Sequence, residues 1–155
     1  MGTVLLLVPP NRDSPTALRE ALALAKSRGS RLLIAVILDP ETTERVSAAL
    51  TEVGFMGEKV SDSVRDTLAR AYRTQAQELV QQLAEQARAQ GVAAEPLVEE
   101  GDPSDICQRL VVTRGIDVAI LVAERHSWLT RLLARETIRL PHLSGCEVRV
   151  MEEED

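Results

Sequence analysis

The sequence is poor in aromatic side chains, which make up only 2% of its 155 residues. Leucine, valine, isoleucine and alanine must therefore fill the core, and hydrophobic residues reach 45% of the chain against 27% charged. No apolar run approaches the ~18 residues that suggest a membrane-spanning helix. Length and composition predict one soluble globular domain, because the chain is too short for two ordinary ones.

Patterns that bind metals or direct export are also missing. The cysteines Cys107 and Cys146 lie far apart, and the histidines His126 and His142 form no cluster with them. We therefore expect reduced thiols and no metal site. The chain has no basic region before its first apolar run, and that run is too short for a signal peptide. This predicts a cytoplasmic protein.

Positive charge is in deficit, since the formal net charge is −6. Nucleic-acid binding needs a basic face, so the composition argues against it. Part of the negative charge lies in the last residues, Glu152 to Asp155. We interpret residues 152–155 as a solvated acidic tail that follows a single domain over residues 1–151.

Apolar runs alternate with amphipathic segments along the chain. The runs predict five strands, at Thr3–Val8, Arg31–Leu38, Val92–Val98, Asp117–Val122 and Glu147–Met151. Helical spacing and capping residues predict helices from Pro15 to Gly29, over Glu41–Val53, over Ser61–Gln90, from Pro103 to Gly115 and over Leu129–Leu140. Ser14 and Asp102 are the expected caps, and Pro96 marks an edge strand. This order predicts an α/β fold with a parallel sheet and helices on both faces.

Four motifs occur in a fixed order. They are Val4–Pro9 with the helix end Ala25–Leu32, then Val36–Pro40, Glu100–Ile106 and Gly115–Val122. With these motifs the sequence resembles the universal stress protein family over almost its whole length. The resemblance implies a Rossmann-like, five-stranded parallel sheet in the order 3-2-1-4-5. It also implies a homodimer through the last strand, Glu147 to Met151, whose apolar residues alternate with charged ones at an exposed edge.

The resemblance also marks a nucleotide site. Its positions are Pro9, Asn11, Ile37, Gly101, Val122, Arg125, Arg135 and Glu136. Nucleotide-binding members have an Asp where Asn11 stands, and the residue matching Ile37 packs on adenine. Their phosphate motif, Gly-x2-Gly-x9-Gly-Ser/Thr, falls on the last four positions of this set. Phosphates approach backbone only where side chains are absent, and Glu136 would repel them. We therefore expect no ATP binding in the family's usual mode.

Two classes of function follow from this reading. The first is a non-enzymatic regulatory or interaction protein of the stress response, without cofactor or catalytic residue. The second is a switch or weak hydrolase that binds ATP or another adenine nucleotide through Asn11, Ile37, Arg125 and Arg135. A stand-alone regulator of a transporter is a third possibility, because domains of this family accompany transporters.

Further candidates lie after the fourth strand and in the loop before the long helix, and each has more than one interpretation. Arg131, Arg135 and Arg139 share one face of the predicted last helix. They form either an anion or partner site, or a solvated face near the carboxyl end of the helix. Trp128 anchors a partner, forms a lid over an emptied pocket, or packs a helix end against the sheet. The loop tip Phe55-Met56 either docks on a partner or packs against the long helix.

Overall fold

The computed structural model describes residues 2–9, 14–38, 58–123 and 146–152. Its strands are β1 (Thr3–Leu7), β2 (Arg31–Leu38), β3 (Ala94–Glu100), β4 (Ile116–Ala123) and β5 (Glu147–Glu152). Its helices are α1 (Pro15–Arg28), α2 (Glu58–Ala89) and α3 (Pro103–Arg114). The predicted helices over Glu41–Val53 and Leu129–Leu140 lie outside the described residues, as do the Phe55 loop tip and Trp128.

The five strands form one parallel sheet in the order β3-β2-β1-β4-β5, which confirms the predicted order. β1 lies in the middle, with Leu7 paired to Ala35 of β2 on one side and to Leu121 of β4 on the other. The chain adds β2 and β3 on one side of β1, then returns to add β4 and β5 on the other. The switch point of the sheet is therefore the β1–β4 pair, where ligands of open α/β sheets usually bind.

Two apolar layers cover the sheet. The alternating side chains of β1, β2 and β4 pack against α1 and α2 on one face, and against α3 on the other. Residues Val4 to Val8 of the first strand region are all at most 1% exposed. Such burial on both faces is what a continuous apolar run predicts for a central parallel strand. Among the described residues, no helix has the length and apolarity needed to cross a membrane.

The helix ends follow the capping residues of the sequence, with one exception. Asp102 caps α3 by accepting a hydrogen bond from the Asp105 amide at 3.2 Å, and Gly29 ends α1 with a φ of 63°. Ser14 precedes α1 as predicted, but its side chain makes no capping hydrogen bond. Its backbone, at φ −128° and ψ 68°, is not in the extended conformation that aims a capping oxygen at the first turn.

The edge strand β3 begins two residues later than predicted and runs on through Glu99 and Glu100. The two added residues are acidic, and arginines from both faces of the sheet pair with them. Glu99 pairs with Arg109 of α3 at 3.1 Å, and Glu100 pairs with Arg73 of α2. Pro96 lies in this strand, as predicted for a sheet edge.

Candidate functional site

The carboxyl-end edge of the sheet brings together the ends of β1, β2 and β4 and the first turns of α1 and α3. Pro9 follows β1 and is buried. The Gly101 amide donates a hydrogen bond to the Leu38 carbonyl at 3.1 Å, which fixes the turn before α3 on the end of β2. A main-chain hydrogen bond therefore holds this part of the candidate site at the end of β2, the strand next to the switch point.

Gly101 meets a steric demand of this turn. Its φ of 147° lies in the region that L side chains rarely adopt, and a Cβ there would approach Ile106 Cδ1 to 3.3 Å. The turn delivers the chain directly to Asp102, the cap of α3. The Glu100–Ile106 motif thus has a structural role, because it forms the turn before α3.

Ile37 and Val122 both lie near this edge, but on opposite faces of the sheet. Ile37 is 0% exposed and packs in the cluster that includes Ile106 and Cys107 of α3. Val122 is 1% exposed and packs in the cluster of α1 and α2. Each side chain contributes to the core, and neither offers its surface to the edge. The alternation of side chains along strands accounts for this separation.

Ser14 is a polar feature of the site that sequence reasoning interpreted only as a cap. Its side chain is 0% exposed, and its Oγ has no hydrogen-bond partner among the described residues. No other buried side-chain nitrogen or oxygen of the described residues is in this state. A buried hydroxyl without a partner carries a free-energy cost, and here it lies at the positive end of the α1 dipole. The only sequence signal for it is the Ser-Pro pair that opens the helix.

The structure thus places four of the eight positions that the resemblance marked, namely Pro9, Ile37, Gly101 and Val122. The other four, Asn11, Arg125, Arg135 and Glu136, lie outside the described residues, as do Arg131 and Arg139. No group of three or more His, Cys, Asp or Glu side chains within the described ranges is arranged to hold a metal ion.

The two cysteines lie together on the α3 face of the sheet. Both are buried and free, and both line a cavity of about 10 Å³ next to Leu5 and Leu121. Cys107 is a small core residue that packs with Ile106 and Leu110 of α3. Burial raises the pKa of the Cys107 thiol to about 12, and burial also raises the pKa of Cys146. Because the thiolate is the reactive form, these thiols are poor nucleophiles at neutral pH.

We expect Cys107 to make the protein less stable in alkali. The unfolded thiol loses its proton above its ordinary pKa of 9.0, whereas the folded thiol keeps it up to about 12. The free energy of unfolding should therefore fall as pH rises through this window, by up to about 1.4 kcal/mol per unit. Urea denaturation at pH 8, 9 and 10 would measure this slope. Cys107→Ala, which cannot titrate, should flatten it, and an unchanged slope in that variant would contradict the assignment.

Comparison with known proteins gave matches at the level of family and of fold. The sequence profile described as "Universal stress protein family" matches residues 1–151. No curated protein sequence gave a match.

Similar solved structures include a protein of the universal stress protein family from Burkholderia pseudomallei, at 19% identity and a TM-score of 0.62, covering 97% of this chain and 95% of the other. The universal stress protein UspA from Lactobacillus plantarum has 16% identity and a TM-score of 0.62, covering 97% and 99%. A universal stress protein in complex with cAMP has 16% identity and a TM-score of 0.57, covering 99% and 98%. At these identities the likeness concerns the fold.

Proposed function

This chain belongs to the universal stress protein family, and on that premise we propose that it is a non-enzymatic regulatory or interaction protein of the stress response. It acts in the cytoplasm as a single domain over residues 1–151 with an acidic tail, and it does not bind ATP in the family's usual mode. Its effect on the cell comes from binding a protein partner rather than from turning over a substrate.

The observation that carries this proposal is the loss of the phosphate motif. Side chains stand at Val122, Arg125 and Arg135 where the family's motif has glycine, and Glu136 puts an acid at the hydroxyl position. Val122 is built into the core at 1% exposure, so this position now serves packing. Bare backbone amides are what a phosphate needs at such a turn, and a carboxylate beside them opposes its charge.

The end of β2 supports the same conclusion. The resemblance assigns the adenine contact to Ile37, which is 0% exposed and packed with side chains of α3. A base that stacked on Ile37 would have to separate this strand from Ile106 and Cys107. Opening a close-packed core to admit a ring has a large cost, because the lost contacts are not replaced elsewhere.

A nucleotide-binding switch is the second candidate, and two observations favour it. The Ser14 hydroxyl is buried without a partner among the described residues at the amino end of α1, where a ligand oxygen would accept its hydrogen bond and benefit from the helix dipole. In addition, one similar structure is a universal stress protein in complex with cAMP. In this candidate Asn11, Arg125 and Arg135 replace the missing contacts, the arginines by pairing with phosphate through their side chains.

A calorimetric titration with ATP, AMP and cAMP separates the two candidates. We expect no saturable ATP binding below about 1 mM, a limit that corresponds to only ~4 kcal/mol of binding free energy. The physical reason is the set of side chains that replace the glycines of the phosphate motif.

Micromolar affinity for any of the three nucleotides would favour the switch, provided that Arg125→Ala or Arg135→Ala abolishes it. Ser14→Ala adds a second check, because it removes the buried hydroxyl at the amino end of α1. Arg19→Ala, at an exposed position of α1, is the matched control for the loss of one positive charge. Nucleotide binding that survives Arg125→Ala, Arg135→Ala and Ser14→Ala would argue against this nucleotide site.

The two edges of the sheet support a homodimer through β5. The β3 edge contains Pro96 and three glutamates in ion pairs, which discourage pairing with another strand. The β5 edge instead carries Val150, a large hydrophobic residue that is 48% exposed. We therefore propose that two copies pair along β5.

A further inference from the structure

A cavity of about 300 Å³ opens at the amino-end edge of the sheet, opposite the edge that holds the family's nucleotide positions. It lies where β1, β2 and β3 begin and α3 ends. Its lining residues are Thr3, Arg31, Leu32, Leu33, Ala93, Ala94, Glu95, Thr113 and Arg114. This volume is at the lower end of the range of small-molecule sites, and its lining mixes apolar and charged groups.

The strand register places the polar side chains of this cavity on one face. Thr3 is the Cα partner of Arg31, and Leu33 is the partner of Glu95. Leu33 packs in the α3 cluster, so the alternation of side chains puts Arg31 and Thr3 on the α3 face as well. The carboxyl end of α3 lies over them and contributes Arg114.

Arg31 carries a positive charge that the described fold does not use. Its guanidinium has no hydrogen-bond or ion-pair partner in the described ranges, and Arg31 is exposed at the first position of β2. The neighbouring cations differ from it. Arg28, Arg88 and Arg114 each lie in the last turn of a helix, where they offset the negative end of the helix dipole.

Arg114 and Thr3 complete the polar side of the cavity. Glu95 binds Arg114 Nη1 at 2.8 Å and so fixes the position of its guanidinium, whose remaining N–H groups stay available. Thr3 is half-buried, and its hydroxyl has no hydrogen-bond partner within the described residues. The Thr113 hydroxyl donates to the Arg109 carbonyl at 2.7 Å, so it has no proton left for a ligand.

We propose that this cavity binds a small aliphatic carboxylate. The free planar fork of Arg31 receives the two carboxylate oxygens, with Thr3 and the spare donors of Arg114 beside it. The short carbon chain of the ligand lies against the apolar part of the lining, to which Leu33 contributes on the same face of the sheet. A bare phosphate would leave that lining in contact with water, so the site favours an anion with an apolar body.

Calorimetric titration with butyrate tests the proposal, with butyramide as its uncharged counterpart and inorganic phosphate as the anion without a carbon chain. We expect butyrate to bind with a dissociation constant of about 1 mM or below. Binding of butyramide and of phosphate should be at least tenfold weaker.

Arg31→Gln should weaken butyrate binding at least tenfold, and Thr3→Val should weaken it by a smaller factor. Arg19→Gln removes the same charge from an exposed site on α1 and should leave binding unchanged. Circular dichroism would establish that each variant is folded, and Thr3→Val provides the test if Arg31→Gln is not. Three results would overturn the assignment. One is no saturable butyrate binding up to 10-fold above the expected dissociation constant. The others are equally strong binding of phosphate or butyramide, and an unchanged dissociation constant for butyrate in Arg31→Gln.

Discussion

Replacing Ile120 by alanine should lower the free energy of unfolding by about 3–4 kcal/mol. Ile120 lies in β4, one of the central strands, and is 0% exposed. It pairs with Leu6 of β1 and packs in the cluster that α1 and α2 cover. Close packing on both faces leaves the surroundings little room to collapse into the space that the lost methyl groups vacate. Urea denaturation measures the change, and the melting temperature should fall by roughly 10 °C.

Val112→Ala is the matched control for this prediction. Val112 lies on α3 but is 69% exposed, so its truncation removes little buried area. We expect its free energy of unfolding to stay within about 0.5 kcal/mol of the parent protein. A loss of less than about 1.5 kcal/mol in Ile120→Ala, or similar losses in both variants, would show that β4 is not a central buried strand.

The strand order could be predicted from the sequence because its signals are local and agree with each other. The run from Asp117 to Val122 has the continuous apolar character of a strand buried on both faces, and it is β4 in the structure. Pro96 marks an edge strand since proline cannot donate a ladder hydrogen bond. Gly29 and Gly115 end helices with a φ of 63° in each case, as their positions after amphipathic segments predict.

Features that depend on contacts between distant segments were not predictable in this way. The extension of β3 through Glu99 and Glu100 comes from pairing with Ile37 and Leu38 of β2, and arginines of α2 and α3 bind the two carboxylates. The unpartnered state of the Ser14 hydroxyl depends on a backbone conformation that the Ser-Pro pair alone does not dictate. The meeting of Arg31 and Arg114 at one cavity likewise leaves no pattern in the sequence.

The candidate site likewise has features that the sequence predicts and features that depend on the fold. The resemblance identified Gly101, and the structure supplies the reason, which is a backbone angle that only glycine tolerates well. It also marked Ile37 and Val122, but their burial on opposite faces follows from strand register, which a list of motif positions does not contain. Within the described residues, the Gly101 turn therefore needs its glycine, while Ile37 and Val122 near the same edge are used for packing.

Replacing Val150 by arginine should convert the proposed β5 dimer into a monomer at micromolar concentration. Val150 is a large hydrophobic residue on the exposed edge strand, at 48% exposure, and pairing of two copies would bury it. An arginine in each copy would lose water on pairing without gaining an opposite charge. Glu147, an acid on the same strand, already pairs with Arg149 of its own chain, so it is not free to pair with the new arginine. We expect the dissociation constant to rise at least about 100-fold, or ~2.7 kcal/mol.

Val112→Arg separates an edge effect from a general effect of added charge. It makes the same substitution at a more exposed valine, which lies on α3 and not on a strand edge. Light scattering over a micromolar concentration series should give a dimer for the parent protein and for Val112→Arg, and a monomer for Val150→Arg. A monomeric parent protein would contradict the proposed β5 dimer. Dissociation by both variants would mean that the contact surface includes α3, because only a pairing confined to β5 leaves Val112 free in solvent.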